Sequence, residues 1–236
     1  MAAARAALET LLRDRKLDLT LTAGRPWVAV PEDRLAPTGI PAIDGPLGGG
    51  LRRGHLSEIV GARSTGRASV LNGIFAAATA RGEVVALIDT ADRFDPAAAA
   101  EGGVDLTRVL WIRERGDAPR ALKAANLVIQ AGGFGIVAFD LADVPPRAVR
   151  QFPYTTWMRL SRVIEGSQTA LVLVGSDRLA RSSGGATIAL QHARAEWAGN
   201  AERARYLHRL DIQPRIVDTR NMSISNYELQ TSKRTK

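Results

Sequence analysis

Apolar positions along the chain alternate between two periods. VVALID (84–89), GIVAFDL (135–141) and TALVLVG (169–175) are short runs almost free of polar residues, the pattern of strands covered on both faces of a parallel sheet. HLSEIV (55–60) and RVLWIR (108–113) read as two more strands. Between them the spacing changes to that of helices. Residues 68–82 place Val70, Ile74, Phe75 and Ala78 on one face and stop at Gly82. Residues 95–101 form a short helix, 118–133 a longer one ending on glycine, and 146–164 a single helix burying Trp157, Leu160 and Val163. This alternation predicts an α/β fold with a mostly parallel, twisted sheet and right-handed crossovers.

The two ends differ from the middle. Residues 2–16 predict a helix with Leu8, Leu11 and Leu12 on one face, followed by a short strand or extended linker at 27–30 and Pro- and Gly-rich turns around one short helix. After the last buried strand, 186–197 and 204–213 alternate loosely about an Ala-Gly-Asn turn. That pattern predicts an antiparallel hairpin added to the sheet edge. The expected layout is an N-terminal helix and linker (1–25), a core domain (26–217) and a polar tail (218–236).

One junction between strand and helix carries chemistry. GARSTGRAS (61–69) follows the strand at 55–60 and opens the helix at 68–82, the context of a phosphate-binding loop G-x-x-x-x-G-K-[ST]. Gly61 and Gly66 stand at the glycine positions, so the backbone around Ser64, Thr65 and Gly66 can still form an anion nest. Arg67 replaces the lysine and Ala68 the magnesium-binding hydroxyl. Arginine keeps the charge in a larger planar head, and alanine offers no oxygen. Ser69 is displaced by about 100° around the helix and cannot simply substitute for that hydroxyl, but with Gly61, Ser64, Thr65, Gly66 and Arg67 it belongs to the candidate nucleotide contacts.

Composition narrows the classes. The chain of 236 residues has no cysteine, which excludes disulfides and thiolate metal sites. His55, His192 and His208 lack ligand spacing, so no metal site is expected. No apolar run approaches the roughly 18 residues of a membrane helix, and no secretory core is visible, so the expected compartment is the cytoplasm. The net charge of +8 favours nucleic acid or an acidic protein surface. RAVRQFPYTTWMRLSR (147–162) interleaves arginines with aromatics. It reads equally as a nucleic-acid contact or as an amphipathic helix. Candidate DNA contacts are Arg147, Arg150, Arg159, Arg178 and Arg181, binding weakly and without sequence preference.

Longer stretches resemble one family. PTGIPAIDGPLGGGLRRGHLSEIVGARSTGRAS is similar to the opening of a bacterial RecA core. VVALIDTADRFDPAAAAEGGVDLTRVLWIR, GFGIVAFDLADV and LVGSDRLARSSGGATIAL resemble the segments that follow, over roughly residues 27–215. The resemblance implies a RecA-like core with ATP or ADP on the glycine loop, Asp95 near the adenine and Asp140 as the acidic residue of the second motif. It also implies what is missing. The catalytic glutamate falls on Ala91, the adenine-stacking tyrosine on Ala98 and the γ-phosphate-sensing glutamine on Ser176. The second DNA loop shrinks to ARSSGG (180–185), and the chain stops where RecA has a further domain. Nucleotide binding is therefore expected to be weak, magnesium poorly held and hydrolysis absent, with no catalytic residue assigned.

Short RecA-like chains of this kind resemble ImuA proteins of damage-inducible mutagenesis. That resemblance implies an accessory role in SOS-linked translesion synthesis, with an ImuB-type protein and an error-prone C-family polymerase as partners, and RecA as a further one. Two alternatives stand beside it: a weak ATP- and DNA-binding recombination mediator, and a SulA-like inhibitor of cell division.

Overall fold

A seven-stranded sheet in the order β5 (Val109–Arg113), β4 (Val85–Asp89), β6 (Ile136–Asp140), β7 (Ala170–Gly175), β3 (Leu56–Gly61), β8 (Thr187–Ala198) and β9 (Tyr206–Asp218) organises the described residues. The computed structural model describes residues 32–180, 184–199 and 206–218. The expected helix at 2–16, the strand at 27–30, Arg181 and the tail beyond 218 lie outside the described residues. β3 to β7 pair in parallel, and β8 runs parallel to β3. β9 pairs antiparallel with β8, so the hairpin sits on the sheet edge as its alternation predicts.

Helices cover both faces, which is why the central strands are continuous apolar runs. α1 (Pro41–Leu47) and α2 (Arg67–Ala80) lie over one face, where Ile59, Leu87, Ala138 and Val172 meet Ile74 and Phe75. α4 (Ala118–Ala131) and α6 (Tyr154–Ile164) cover the other, around Ile88, Phe139, Leu173 and Trp157. Between them in the chain come α3 (Pro96–Glu101) and α5 (Pro146–Val149). The four residues expected inward on α2 are all buried.

The predicted single helix over 146–164 is instead two, α5 and α6. Pro153 has no N–H to continue the ladder, and its ring biases Phe152 away from helical angles. Pro153 becomes the N-cap of α6, with ψ at 152°. The register of α6 also differs from expectation. Trp157, Leu160 and Ile164 are buried, whereas Val163 is 39% exposed.

The Pro- and Gly-rich segment before β3 is a structural lock. The Asp44 carboxylate accepts from the Thr38 N–H and hydroxyl and from the Gly39 N–H, at 2.7–3.0 Å. A small antiparallel pair, β1 (Leu35–Ala36) with β2 (Leu51–Arg52), closes it. Gly50 has φ +145°, and a Cβ there would run into the Ala36 carbonyl and approach Pro37 Cα at 2.7 Å. Only glycine fits that crossing.

Parallel pairing puts the carboxyl ends of β3, β4, β6 and β7 at one end of the sheet. Asp89 and Asp140 are register partners there. In open α/β sheets this end is where ligands bind.

Candidate nucleotide site

The glycine loop turns from β3 into α2 at that end. Thr65 is buried and donates its hydroxyl to the Ala62 carbonyl at 2.8 Å, which closes the turn. Ser64 (φ 62°) and Gly66 (φ 91°) both adopt left-handed angles. Gly66 is the N-cap of α2 and supplies no side-chain acceptor, so the first N–H groups of the helix keep the partial positive charge that suits an anion. The frame of a phosphate nest is therefore present.

The side chains around the frame are turned to other uses. Arg67 is buried, and its guanidinium donates to the Ala142 carbonyl at 3.3 Å and lies 3.5 Å from Asp143 Oδ1. Arg63 reaches the same carboxylate oxygen at 3.4 Å. Asp143 thus ties both loop arginines to the turn after β6. Ala68 and Ser69 are exposed at the start of α2. A Cβ on Gly66 would collide with Ile212 Cδ1 and come within 2.8 Å of its Cγ1, so the hairpin strand β9 packs directly against the loop.

Each acidic group at the carboxyl ends already has partners. Asp89 accepts from the Arg93 and Phe94 N–H groups and from Trp111 Nε1, at 2.8–3.2 Å. Asp92 forms a two-pronged pair with Arg113 at 2.7 and 2.9 Å. That pair holds its carboxyl below the usual carboxylate range, the opposite of what a general base needs. Arg113 also lies 4.5 Å from the Trp111 ring centroid. Asp140 accepts from the Ala142 N–H at 2.8 Å. Desolvation pushes its carboxyl up to about 6. The Ala142 bond and the charge of Arg67 oppose the rise, and Asp89 and Asp143 add to it. Ala91 is half-buried and offers no acid or base, and exposed Ser176 donates to Asp177 at 3.1 Å.

The remaining sequence candidates are distributed. Asp95 is the N-cap of α3, accepting from the Ala97 and Ala98 N–H groups. Arg147, Arg150 and Arg178 are exposed near the same end of the sheet as β6 and β7 finish, while Arg159 lies on α6 and lines a groove against α4. His55 pairs through Nδ1 with the Arg53 carbonyl at 3.0 Å. Trp157 is core, whereas Trp197 is 60% exposed on β8.

Two positions that shape the site carry no signal in the sequence. Asp143, which fixes both loop arginines, carries no motif of its own beyond lying three residues after Asp140. Glu58 on β3 is fully buried, and its Oε1 accepts from the Leu179 and Ala180 N–H groups at 2.8 Å each. It therefore anchors the start of the segment that resembles a DNA loop. Alternation along HLSEIV gives no hint that an acid faces inward.

Known proteins resemble this chain in sequence and in fold. The family described as the RecA N-terminal domain matches residues 31–150. Curated relatives called Protein RecA are 40% identical over 116 residues in Mycobacterium marinum and 39% over 114 residues in Nocardia farcinica. Each match covers 48% of this chain and 33% of the relative. The Frankia casuarinae protein is 37% identical over 120 residues, covering 50% and 34%. The matched segment spans about a third of these relatives' length. A crystal structure of the RadB recombinase superposes with a TM-score of 0.52 at 15% identity, over 66% of this chain and 83% of that one, a likeness of fold alone. Among the described residues, no helix is long and apolar enough to cross a membrane.

Proposed function

Because this chain belongs to the RecA N-terminal domain family and yet ties its loop arginine to its own backbone, we propose that it is a non-catalytic RecA-like accessory protein of DNA repair. The observation that carries the reading is Arg67. Its guanidinium is bonded to Ala142 and Asp143 and is not free to meet a terminal phosphate. Ala68 removes the magnesium hydroxyl, Ala91 removes the base, and Asp92 is held by Arg113. Phosphoryl transfer depends on placed charge and metal, so these changes act together against it.

The setting that fits best is SOS-induced mutagenesis by translesion synthesis in the cytoplasm. There the chain works through contacts with an ImuB-type polymerase relative and an error-prone C-family polymerase, with RecA as a further partner. The net charge of +8 supports weak DNA contact alongside. A second reading rests on the intact nest at Gly66: a mediator that binds ATP or ADP weakly without turning it over. SulA-like inhibition of division is the third, and filamentation on expression tests it.

The deciding experiment combines magnesium- and DNA-stimulated ATP turnover with a nucleotide titration followed by melting temperature. We expect no turnover above that of a Gly66→Asp control. A rate that disappears with that substitution would show that the site is an enzyme. Saturable stabilisation by ATP without turnover would select the mediator.

A further inference from the structure

The glycine loop is held by packing that leaves its backbone little freedom to rearrange. A Cβ on Gly61 would meet Thr65 Oγ1 at 2.5 Å and the Leu190 carbonyl at 2.7 Å, and Gly66 lies against Ile212. The turn after β6 is equally fixed. There the Ala142 N–H donates to Asp140, the Leu141 N–H to the Val174 carbonyl and the Val144 N–H to the Leu141 carbonyl. Two rigid segments face each other, and side chains bridge them. Asp143 Oδ1 stands between the loop arginines, 3.4 Å from Arg63 Nε and 3.5 Å from Arg67 Nη2. Both distances exceed the roughly 2.7–2.9 Å of a tight charge-assisted bond. The Arg63 side chain is 77% exposed and that of Asp143 25%, so solvent ions reach this cluster from one side.

We propose that Asp143 is a built-in competitor for the loop: its carboxylate occupies the two arginines that a phosphate group on the glycine loop would engage, and nucleotide binds as that carboxylate is displaced. The clamp rests on the second reading of the loop, a weak ATP or ADP site, and gives that weakness a cause. Arg63 belongs to the loop and Arg67 opens α2, so both side chains start beside the nest. One carboxylate oxygen shared between two guanidinium groups satisfies neither fully, whereas a phosphate brings several oxygens to the same donors. Displacement needs no refolding. Arg67 Nη1 keeps the Ala142 carbonyl at 3.3 Å while Nη2 comes free of Asp143. When the open arrangement is a fraction of the population, the apparent affinity for the ligand falls by that fraction. A brace that only stabilised the fold would have no such effect on binding.

The test is ADP binding to the full chain, without magnesium and at low ionic strength, by isothermal titration calorimetry. Asp143→Asn keeps the size of the side chain and removes its charge. Asp143→Ser is a second, shorter replacement should asparagine disturb the turn. Each should bind ADP roughly tenfold more tightly than the parent. Asp177→Asn removes a carboxylate just beyond β7, at the same end of the sheet but outside the clamp, and should leave the affinity as it was. A parent that binds ADP as tightly as the Asp143 variants overturns the clamp and leaves the nucleotide site standing. Binding by the Asp143 variants alone supports the clamp and removes the second reading for the parent chain. If neither parent nor variant binds, the clamp and that reading fall together. An equal gain from Asp177→Asn overturns the clamp as well, because the effect is then one of overall charge.

Discussion

Asp140→Asn tests whether the acidic end of β6 is a metal organiser or an inherited burden. The native carboxyl titrates near 6, against 3.8 for a free aspartate. Between those pH values the folded chain holds a proton that the unfolded chain has lost, so stability falls as pH rises through that window. The interval of 6 minus 3.8, at about 1.36 kcal/mol per pH unit, gives an upper figure of ~3 kcal/mol lost by pH 7. Asparagine keeps an oxygen for the Ala142 N–H, replaces the acidic O–H with an amide donor and carries no charge. The variant should therefore be more stable than the parent at pH 8 by roughly 1.5–3 kcal/mol, or about 3–10 °C in melting temperature for a chain of this size.

Thermal melts of both proteins from pH 4 to pH 8 check the sign. The advantage of Asp140→Asn should grow between about pH 4 and pH 6 and stay level above it. A variant that melts at or below the parent at pH 8 would refute the reasoning, as would a difference independent of pH. Magnesium with ATP adds a control. A carboxylate that held the ion would raise the parent's melting temperature selectively, and we expect no such rise.

Four further outcomes follow from named contacts. Gly66→Ala should destabilise by roughly 1–3 kcal/mol in denaturant titrations, because φ is +91° and Ile212 fills the Cβ site; adding Ile212→Ala should recover part of that loss. Glu58→Ala should cost about 2–4 kcal/mol, since two buried or half-buried N–H groups lose their acceptor, whereas Glu58→Gln keeps an oxygen and should cost less; urea titrations separate the two. Arg67→Lys with Ala68→Thr should leave ATP turnover absent, because Ala91 still offers no base; phosphate release that appears in this pair would place the base elsewhere. DNA binding should weaken steeply between about 50 and 200 mM salt, and equally for all sequences, with charge removal at Arg147, Arg150 and Arg178 lowering the salt slope; salt-insensitive anisotropy would argue against these contacts.

The frame of this protein was legible because it is written locally. Continuous apolar strands, helical spacing at Val70, Ile74, Phe75 and Ala78, and glycines at 61 and 66 each act within a few residues, so pattern alone places the sheet, α2 and the loop. The division of 146–164 was local too. It was missed because amphipathic spacing on both sides of Pro153 masked a residue that has no N–H to continue a helix. The contacts that decide what the loop can do are long-range. Arg67 bonds to residues 75 and 76 positions away, Glu58 to residues 121 and 122 positions away, and Gly66 meets Ile212 across the sheet edge. Sequence identifies which phosphate-binding groups are absent at 67 and 68. It does not reveal that the replacement arginine is held by Asp143, because an aspartate three residues past β6 looks like any solvated turn.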